Sequence, residues 1–270
     1  MLSGVDAGRV AQPLSGALTI DSSGAASIKL DLLDNGKADA AAILKLSLVG
    51  TPSAVSAQTT LADATPQKGT AGADLLAGTA ANDKIDGGAG RDTVAYGGAS
   101  TNFDIHRNAD GSYQVTDATG ASGSDLLLNV ERLTFADKSI ALDIDGTGGQ
   151  VYRVYQAAFD RAPDLQGLGY WIAQMDKGLS LVQVAGNFVN SAEFAQLYGG
   201  ASASNETFLS KLYSNVLHRT PDPDGYAYWV DVLAHGAAKD DVLAAFSRSA
   251  ENQAQVIGTI QHGFEFVPYA

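Results

Sequence analysis

Residues 69 to 95 read GTAGADLLA, GTAANDKID, GGAGRDTVA when divided into nines. The first position of the three frames holds Gly69, Gly78 and Gly87, the sixth holds Asp74, Asp83 and Asp92, and the eighth holds Leu76, Ile85 and Val94. Phase agreement of this kind calls for a repeating backbone. Six residues of turn and three of strand supply one, a parallel β-roll. In it the eighth-position side chain points into the core, and glycines take turn conformations closed to residues with a β-carbon. Two nines make one coil, so successive turns alternate between the two edges of the roll. Frames one and three then stack on one edge and frame two lies on the other.

The sixth-position aspartates give these turns their chemistry. Calcium is a hard cation that takes about six to eight oxygens at flexible geometry, which backbone carbonyls and two carboxylates supply. Asp74 and Asp92 are expected to share one complete site, with carbonyls from the turns that contain Gly72, Gly88 and Gly90. Asp83 is a candidate ligand on the other edge, where residues 96–104 (YGGASTNFD) supply a poor neighbour. Without a cation, stacked acidic turns repel one another. GGAGRDTVA matches the calcium-binding nonapeptide in full. The earlier frames depart from it at Thr70, Thr79 and Ala81, where glycines are usual.

These residues resemble the RTX (repeats-in-toxin) calcium-binding proteins, and GSDLLLNVERLTFADKSIAL at 123–142 resembles the segment that often closes such rolls. Three nonapeptides are few for that class, so flanking strands are expected to cap the roll. Within 96–142 the runs FDIHR and SYQVTD flank the turn NADG, with Phe103, Ile105, Tyr113 and Val115 alternating as in a hairpin. Upstream, LTID, SIKLDLL and ILKLSLV are β-prone runs separated by SSG and DNG turn signals, and TPSAVSAQTTLADATPQ reads as a linker.

Beyond DIDGTGGQ (143–150) the period changes from two to nearly four. Val151, Val154, Tyr155, Ala158 and Phe159 share one helical face. Asp143 and Asp145 start loosely like an EF-hand, but its other ligands are missing and a helix-start turn is the better reading. The chain then repeats itself at an offset of 58: YQAAFDRAPDLQGLGYWIAQMDKG at 155–178 aligns with YSNVLHRTPDPDGYAYWVDVLAHG at 213–236. Two stacked units of this kind make an all-α domain. This pair resembles a family of uncharacterised two-repeat helical domains found near the C-termini of RTX-type secreted proteins. The fold class is therefore mixed, β then α. A β-rich region spans 1–65, the roll with its capping strands 66–145, and the helical pair, with a C-terminal export signal, 146–270.

The chain has 270 residues, 17 Lys and Arg against 30 Asp and Glu, a net charge of -13, and no cysteine. No basic stripe is present to displace counterions, which argues against nucleic acid as a partner. Disulfides and thiolate metal sites are excluded outright. No apolar run reaches the length of a membrane span, and MLSGVDAGRVAQPLSG has no basic segment followed by an apolar one, as a secretory signal would. The RTX resemblance implies export by type I machinery that reads an uncleaved C-terminal signal, a loose chain in the calcium-poor cytosol, and folding outside, where calcium is about millimolar and weak sites fill.

Other candidates weigh less. DPDG at 222–225 offers Asp222 and Asp224 as a cation pair, with helix capping the favoured role for Asp222 and Asp164. Arg161 and Arg219 are expected to tie their turns to a carboxylate or carbonyl. Trp171 and Trp229 are candidate glycan contacts, although identical placement in both repeats favours core packing. The four histidines are scattered, and HExxH, G-x-S-x-G and P-loop motifs are missing, so no catalysis is expected. The expected function is a secreted, calcium-binding structural or adhesive protein of the cell surface or matrix, self-associating once folded. The alternatives are a calcium-dependent glycan- or lipopolysaccharide-binding module and the export tail of a larger type I-secreted enzyme.

Overall fold

The computed structural model describes residues 16–20, 26–34, 37–46, 66–199 and 203–269. Residues 1–15 and 51–65, which carry most of the expected linker, lie outside the described residues. The chain divides into two compact units, Met1–Gln58 and Thr59–Ala270. In the first, β1 (Gly16–Ile20), β2 (Ala26–Asp34) and β3 (Lys37–Leu46) form an antiparallel sheet in sequence order, with a register shift between Leu30 and Leu32. β2 contains the run SIKLDLL, β1 and β3 contain the described parts of LTID and ILKLSLV, and the rest of those two runs lies outside the described residues.

The second unit opens with very short strands: β4 (Gln67–Lys68), β5 (Leu75–Ala77), β6 (Lys84–Asp86) and β7 (Thr93–Ala95). β5 pairs in parallel with β7, setting Leu76 against Val94, while β4 pairs in parallel with β6. The eighth-position residues thus alternate between two sheets, as the nine-residue frame requires. Ile85 and Val94 are fully buried and Leu76 packs against them, whereas its neighbour Leu75 is 74% exposed.

After β7 the chain leaves the coil. A 3-10 turn at Ser100–Asn102 leads into the hairpin β8 (Phe103–Arg107) and β9 (Tyr113–Asp117), and β10 (Ser124–Leu128) returns to the roll. β10 is antiparallel to β9 and parallel to β6, with Leu127 opposite Ile85. β11 (Arg132–Thr134) then joins β7 in parallel, with Leu133 opposite Val94, and β12 (Ser139–Ala141) folds back on it. The resulting sheets run β4-β6-β10-β9-β8 and, with the C-terminal strand β13 (Phe264–Phe266), β13-β12-β11-β7-β5. Flanking strands do cap the short roll. One of them, β13, comes from the far end of the chain, and nothing in its three-residue sequence announced a partner.

Among the described residues eight helices follow, α1 (Thr147–Phe159), α2 (Leu165–Asp176), α3 (Leu181–Val189), α4 (Ala192–Tyr198), α5 (Asn205–Val216), α6 (Pro223–Ala234), α7 (Lys239–Ser247) and α8 (Ala250–Ile260). They form two sets of four at the offset of 58. The equivalence extends to atoms. Arg161 grips Glu193 at 2.7 and 3.0 Å, and Arg219 grips Glu251 at the same two distances. Each arginine lies over a tyrosine ring, Tyr155 or Tyr213. The two sets bury one aromatic core, in which Phe188, Phe194, Phe208 and Phe246 are all at most 3% exposed.

Asp164 and Asp222 cap α2 and α6, accepting from the backbone of Gly167 at 2.6 Å and Gly225 at 2.7 Å. Asp164 also accepts the Tyr155 hydroxyl at 2.6 Å, and that bond, with the Gly167 amide, holds its carboxyl below the usual range. Asp164→Ala is expected to cost about 1 kcal/mol of stability, the usual size for a lost cap. Tyr155→Phe should cost less, since the cap itself survives. Urea melts of both variants check the order.

Candidate metal centre

The roll stacks its turns on two edges. On the first, residues 69–74 lie beneath 87–92: the Asp74 amide donates to Asp92 Oδ1 at 2.9 Å, and the Thr93 amide donates to the Asp74 carbonyl at 2.9 Å. Gly88 and Gly90 have φ of 97° and 125°, left-handed values that favour glycine. They sit directly over the Thr70 and Gly72 carbonyls, so near that a β-carbon at Gly90 would stand 2.6 Å from the Gly72 oxygen. Asp74, Asp92, Gly72, Gly88 and Gly90 are therefore brought together.

Asp83 lies on the second edge, and its neighbour is not residues 96–104. The Asp83 amide donates to Asp125 Oδ1 at 2.9 Å, and the Leu126 amide donates to the Asp83 carbonyl at 2.8 Å. These bonds repeat the first edge, so residues 120–128, GASGSDLLL, form a fourth frame with Gly120, Gly123, Asp125 and Leu127 in phase. That frame is visible in the sequence once the 24 residues 96–119 are set aside. The hairpin insertion breaks the period and conceals it.

A fifth, shortened turn closes the first edge. The Asp92 amide donates to Glu131 Oε2 at 2.8 Å, and the Glu131 and Arg132 amides both donate to the Asp92 carbonyl, at 3.1 and 3.0 Å. Glu131 follows Asp125 at an offset of only six, and Asn129, at φ 50°, makes the tight bend.

The carboxylates differ in their partners. Asp74 Oδ2 accepts from the Thr70 amide and hydroxyl at 2.6 and 2.9 Å, and Asp83 Oδ2 from those of Thr79 at 2.5 and 2.9 Å. The two threonines that depart from the consensus thus hold the aspartate of their own turn. Asp125 is fully buried, and its Oδ2 accepts a hydrogen bond from the Tyr96 hydroxyl at 2.9 Å. Burial pushes the Asp125 carboxyl up to about 6, and the Asp83 charge adds to the rise. Burial likewise raises the Glu131 carboxyl, with the Asp92 charge contributing. Crowded, partly desolvated carboxylates beside backbone carbonyls suit a hard divalent cation. No group of three or more His, Asp or Glu side chains gathers among the described residues, so backbone oxygens must supply much of any coordination shell.

Comparison with protein families places this geometry. Residues 68–100 match the RTX calcium-binding nonapeptide repeat (4 copies). The chain carries RTX repeats. RTX nonapeptides bind calcium, and proteins that contain them are typically secreted. Residues 149–198 and 185–256 match a domain of unknown function, DUF4214, and the two overlapping matches together run through most of the helical pair after the RTX segment. A comparison with curated proteins finds no match to the chain. Among the described residues, no helix is long and apolar enough to cross a membrane.

The remaining candidates lie away from the RTX edges. Asp222, besides capping α6, accepts from Arg219 at 3.2 Å, and Asp224 stands exposed in the first turn of α6. Trp171 packs edge-on against Phe188 at 5.2 Å, and Trp229 packs against Phe246 at 5.3 Å. Both tryptophans are half-buried.

Proposed function

We propose that the protein is exported by type I machinery, folds outside the cell when its roll takes up calcium, and then serves a structural or adhesive role at the cell surface or in the matrix, without catalysis of its own. The observation that carries this reading is the stacking of Asp74 beneath Asp92. Two carboxylates lie one coil apart in turns whose single basic residue, Arg91, faces away and pairs with Asp176 of α2 at 3.2 Å. Asp74, Asp92 and the carbonyls around Gly72, Gly88 and Gly90 would hold the ion; on the second edge the Thr79 amide and hydroxyl hold Asp83 Oδ2, and the Tyr96 hydroxyl holds Asp125 Oδ2. Bound calcium supplies the positive charge that lets the acidic turns stack. The chain aligns the turns through the amide-to-carboxylate bonds and keeps Ile85 and Val94 dry beneath them.

Self-association is the finer part of the proposal. β1 and β3 are the edge strands of the N-terminal sheet, and such edges accept a strand from a second copy unless covered. Sedimentation velocity in chelator and in rising calcium tests both parts. The expected course is compaction followed by growth into larger species, with Asp74→Asn plus Asp92→Asn blocking both. A coefficient that rises to that of a compact monomer and stops removes the assembly role and leaves calcium-dependent folding intact. No response to calcium overturns the whole reading.

A further inference from the structure

Asp92 is 0% exposed, and its Oδ2 is buried without a hydrogen-bond partner. A buried carboxylate oxygen left unpaired is costly, so its surroundings indicate what it awaits. In the first two frames the equivalent oxygen is held by a threonine amide and hydroxyl. In the third frame the second position is Gly88, which has no hydroxyl, and no other side chain replaces it.

The free oxygen faces the closing turn, not the repeat below. Asp92 Oδ1 accepts from the Asp74 amide, whereas Oδ2 lies beside Gly87, which the Asn129 carbonyl of the closing turn also approaches. A β-carbon at Gly87 would collide with that carbonyl oxygen and stand 2.6 Å from Asp92 Oδ2, so glycine keeps the space between the two oxygens open. Glu131 brings a second, half-buried carboxylate to the same turn, bound through Oε2 to the Asp92 amide. Arg132, next in the chain, pairs through Nη1 with Asp143 and the Glu131 carbonyl (2.8 Å to the latter), while its Nη2 is buried without a hydrogen-bond partner, and no hydrogen bond joins its guanidinium to Asp92. The second edge differs at the equivalent place, because the Tyr96 hydroxyl already satisfies Asp125 Oδ2.

We infer that the closing turn Asn129–Glu131 completes a second calcium site on the first edge, formed by Asp92 Oδ2, the Asn129 carbonyl and the Glu131 carboxylate, outside the nonapeptide repeats. The inference rests on the calcium reading of the roll. Carbonyl and carboxylate oxygens around a flexible turn suit calcium, whereas magnesium prefers a rigid octahedral shell and retains water. Asp92 then serves two levels, the repeat beneath and the closing turn above, and the first edge holds two ions while the tyrosine-closed second edge holds none.

Calorimetric titration of the full chain with calcium chloride, after chelator treatment and dialysis, tests this. The wild type is expected to take up two ions. Glu131→Gln keeps an acceptor for the Asp92 amide while removing the charge, and should bind one. Asp74→Asn should also bind one, by losing the lower site, and the double variant none. If Glu131→Gln misfolds without calcium, the difference in melting temperature between 5 mM calcium and chelator supplies the second measurement: it should be about half the wild-type difference, in line with one site lost of two. A Glu131→Gln protein that binds as many ions as the wild type, while Asp74→Asn binds fewer, overturns the closing-turn site and leaves the repeat site standing. A wild type that binds none overturns the calcium reading itself. Equal uptake from magnesium chloride overturns the assignment of calcium to this site.

Discussion

Chelation of calcium is expected to lower the melting temperature of the Thr59–Ala270 unit by about 10 to 20 °C. A site held at a hundred times its dissociation constant contributes about 2.7 kcal/mol, and each kcal/mol moves the midpoint of a domain of this size by about 2 to 4 °C. Two sites on one edge therefore give the stated range. Asp92→Asn should remove most of the calcium response, because that carboxylate faces both the turn below and the closing turn above. It should also raise the midpoint measured in chelator, since an amide does not carry the uncompensated charge that Asp92 Oδ2 brings into the calcium-free fold. Differential scanning calorimetry in 5 mM calcium and in chelator reads both effects. An Asp92→Asn protein with the full wild-type calcium shift would sink the assignment of this edge as the calcium edge.

The parts of this edge were unequally legible in the sequence. The coil, its handover between two sheets and the stacking of Asp74 with Asp92 follow from the nine-residue frame, because a period of nine fixes both strand register and turn position. Asp125 sits in an equally good frame, yet the inserted hairpin separates it by 42 residues from its partner Asp83, and a local period cannot cross an insertion. Glu131 is harder still. Its turn has lost three residues relative to the repeat, so no spacing points to it; only the pairing of β11 with β7 reveals that it stacks on Asp92. The helical pair was legible for the opposite reason. Its repeat is long and uninterrupted, so Arg161 and Arg219 were readable as equivalents, although their carboxylate partners emerge only from the packing of α4 and α8 beside the turns. The Asp143–Asp145 pair resolves into two unlike residues, one buried and one in solvent, which spacing alone does not distinguish.

Those two residues give the second large effect. Asp143 lies at the junction of the roll with the helical pair. Its Oδ1 pairs with Arg132 of β11 and its Oδ2 accepts the Gly148 amide at 2.8 Å in the first turn of α1, whose own N-cap residue, Gly146, offers no side chain. Both members of the pair are buried, with side chains 6% and 9% exposed. Asp143→Ala leaves the buried Arg132 guanidinium with Asp176, at 3.9 Å, as its remaining ion-pair partner beside the Glu131 carbonyl, and takes the side-chain acceptor from the Gly148 amide in the first turn of α1. Breaking a buried pair by removing one partner costs about 3 to 5 kcal/mol, against little or nothing when both are replaced by apolar groups of similar volume. Asp145 is 74% exposed and meets Arg107 only at 3.6 Å, so Asp145→Ala should leave stability unchanged, as for most exposed pairs. Urea denaturation of Asp143→Ala, Asp145→Ala and the double variant Arg132→Met/Asp143→Leu, all in saturating calcium, separates the terms. The double variant should recover most of the loss caused by Asp143→Ala. If it is no more stable than Asp143→Ala alone, the loss belongs to the unfastened first turn of α1 and not to the stranded charge. Because Arg132 follows Glu131 and donates its amide to the Asp92 carbonyl, the same variants should weaken calcium binding at the closing turn only as far as they loosen β11, and the recovery of affinity should track the recovery of stability.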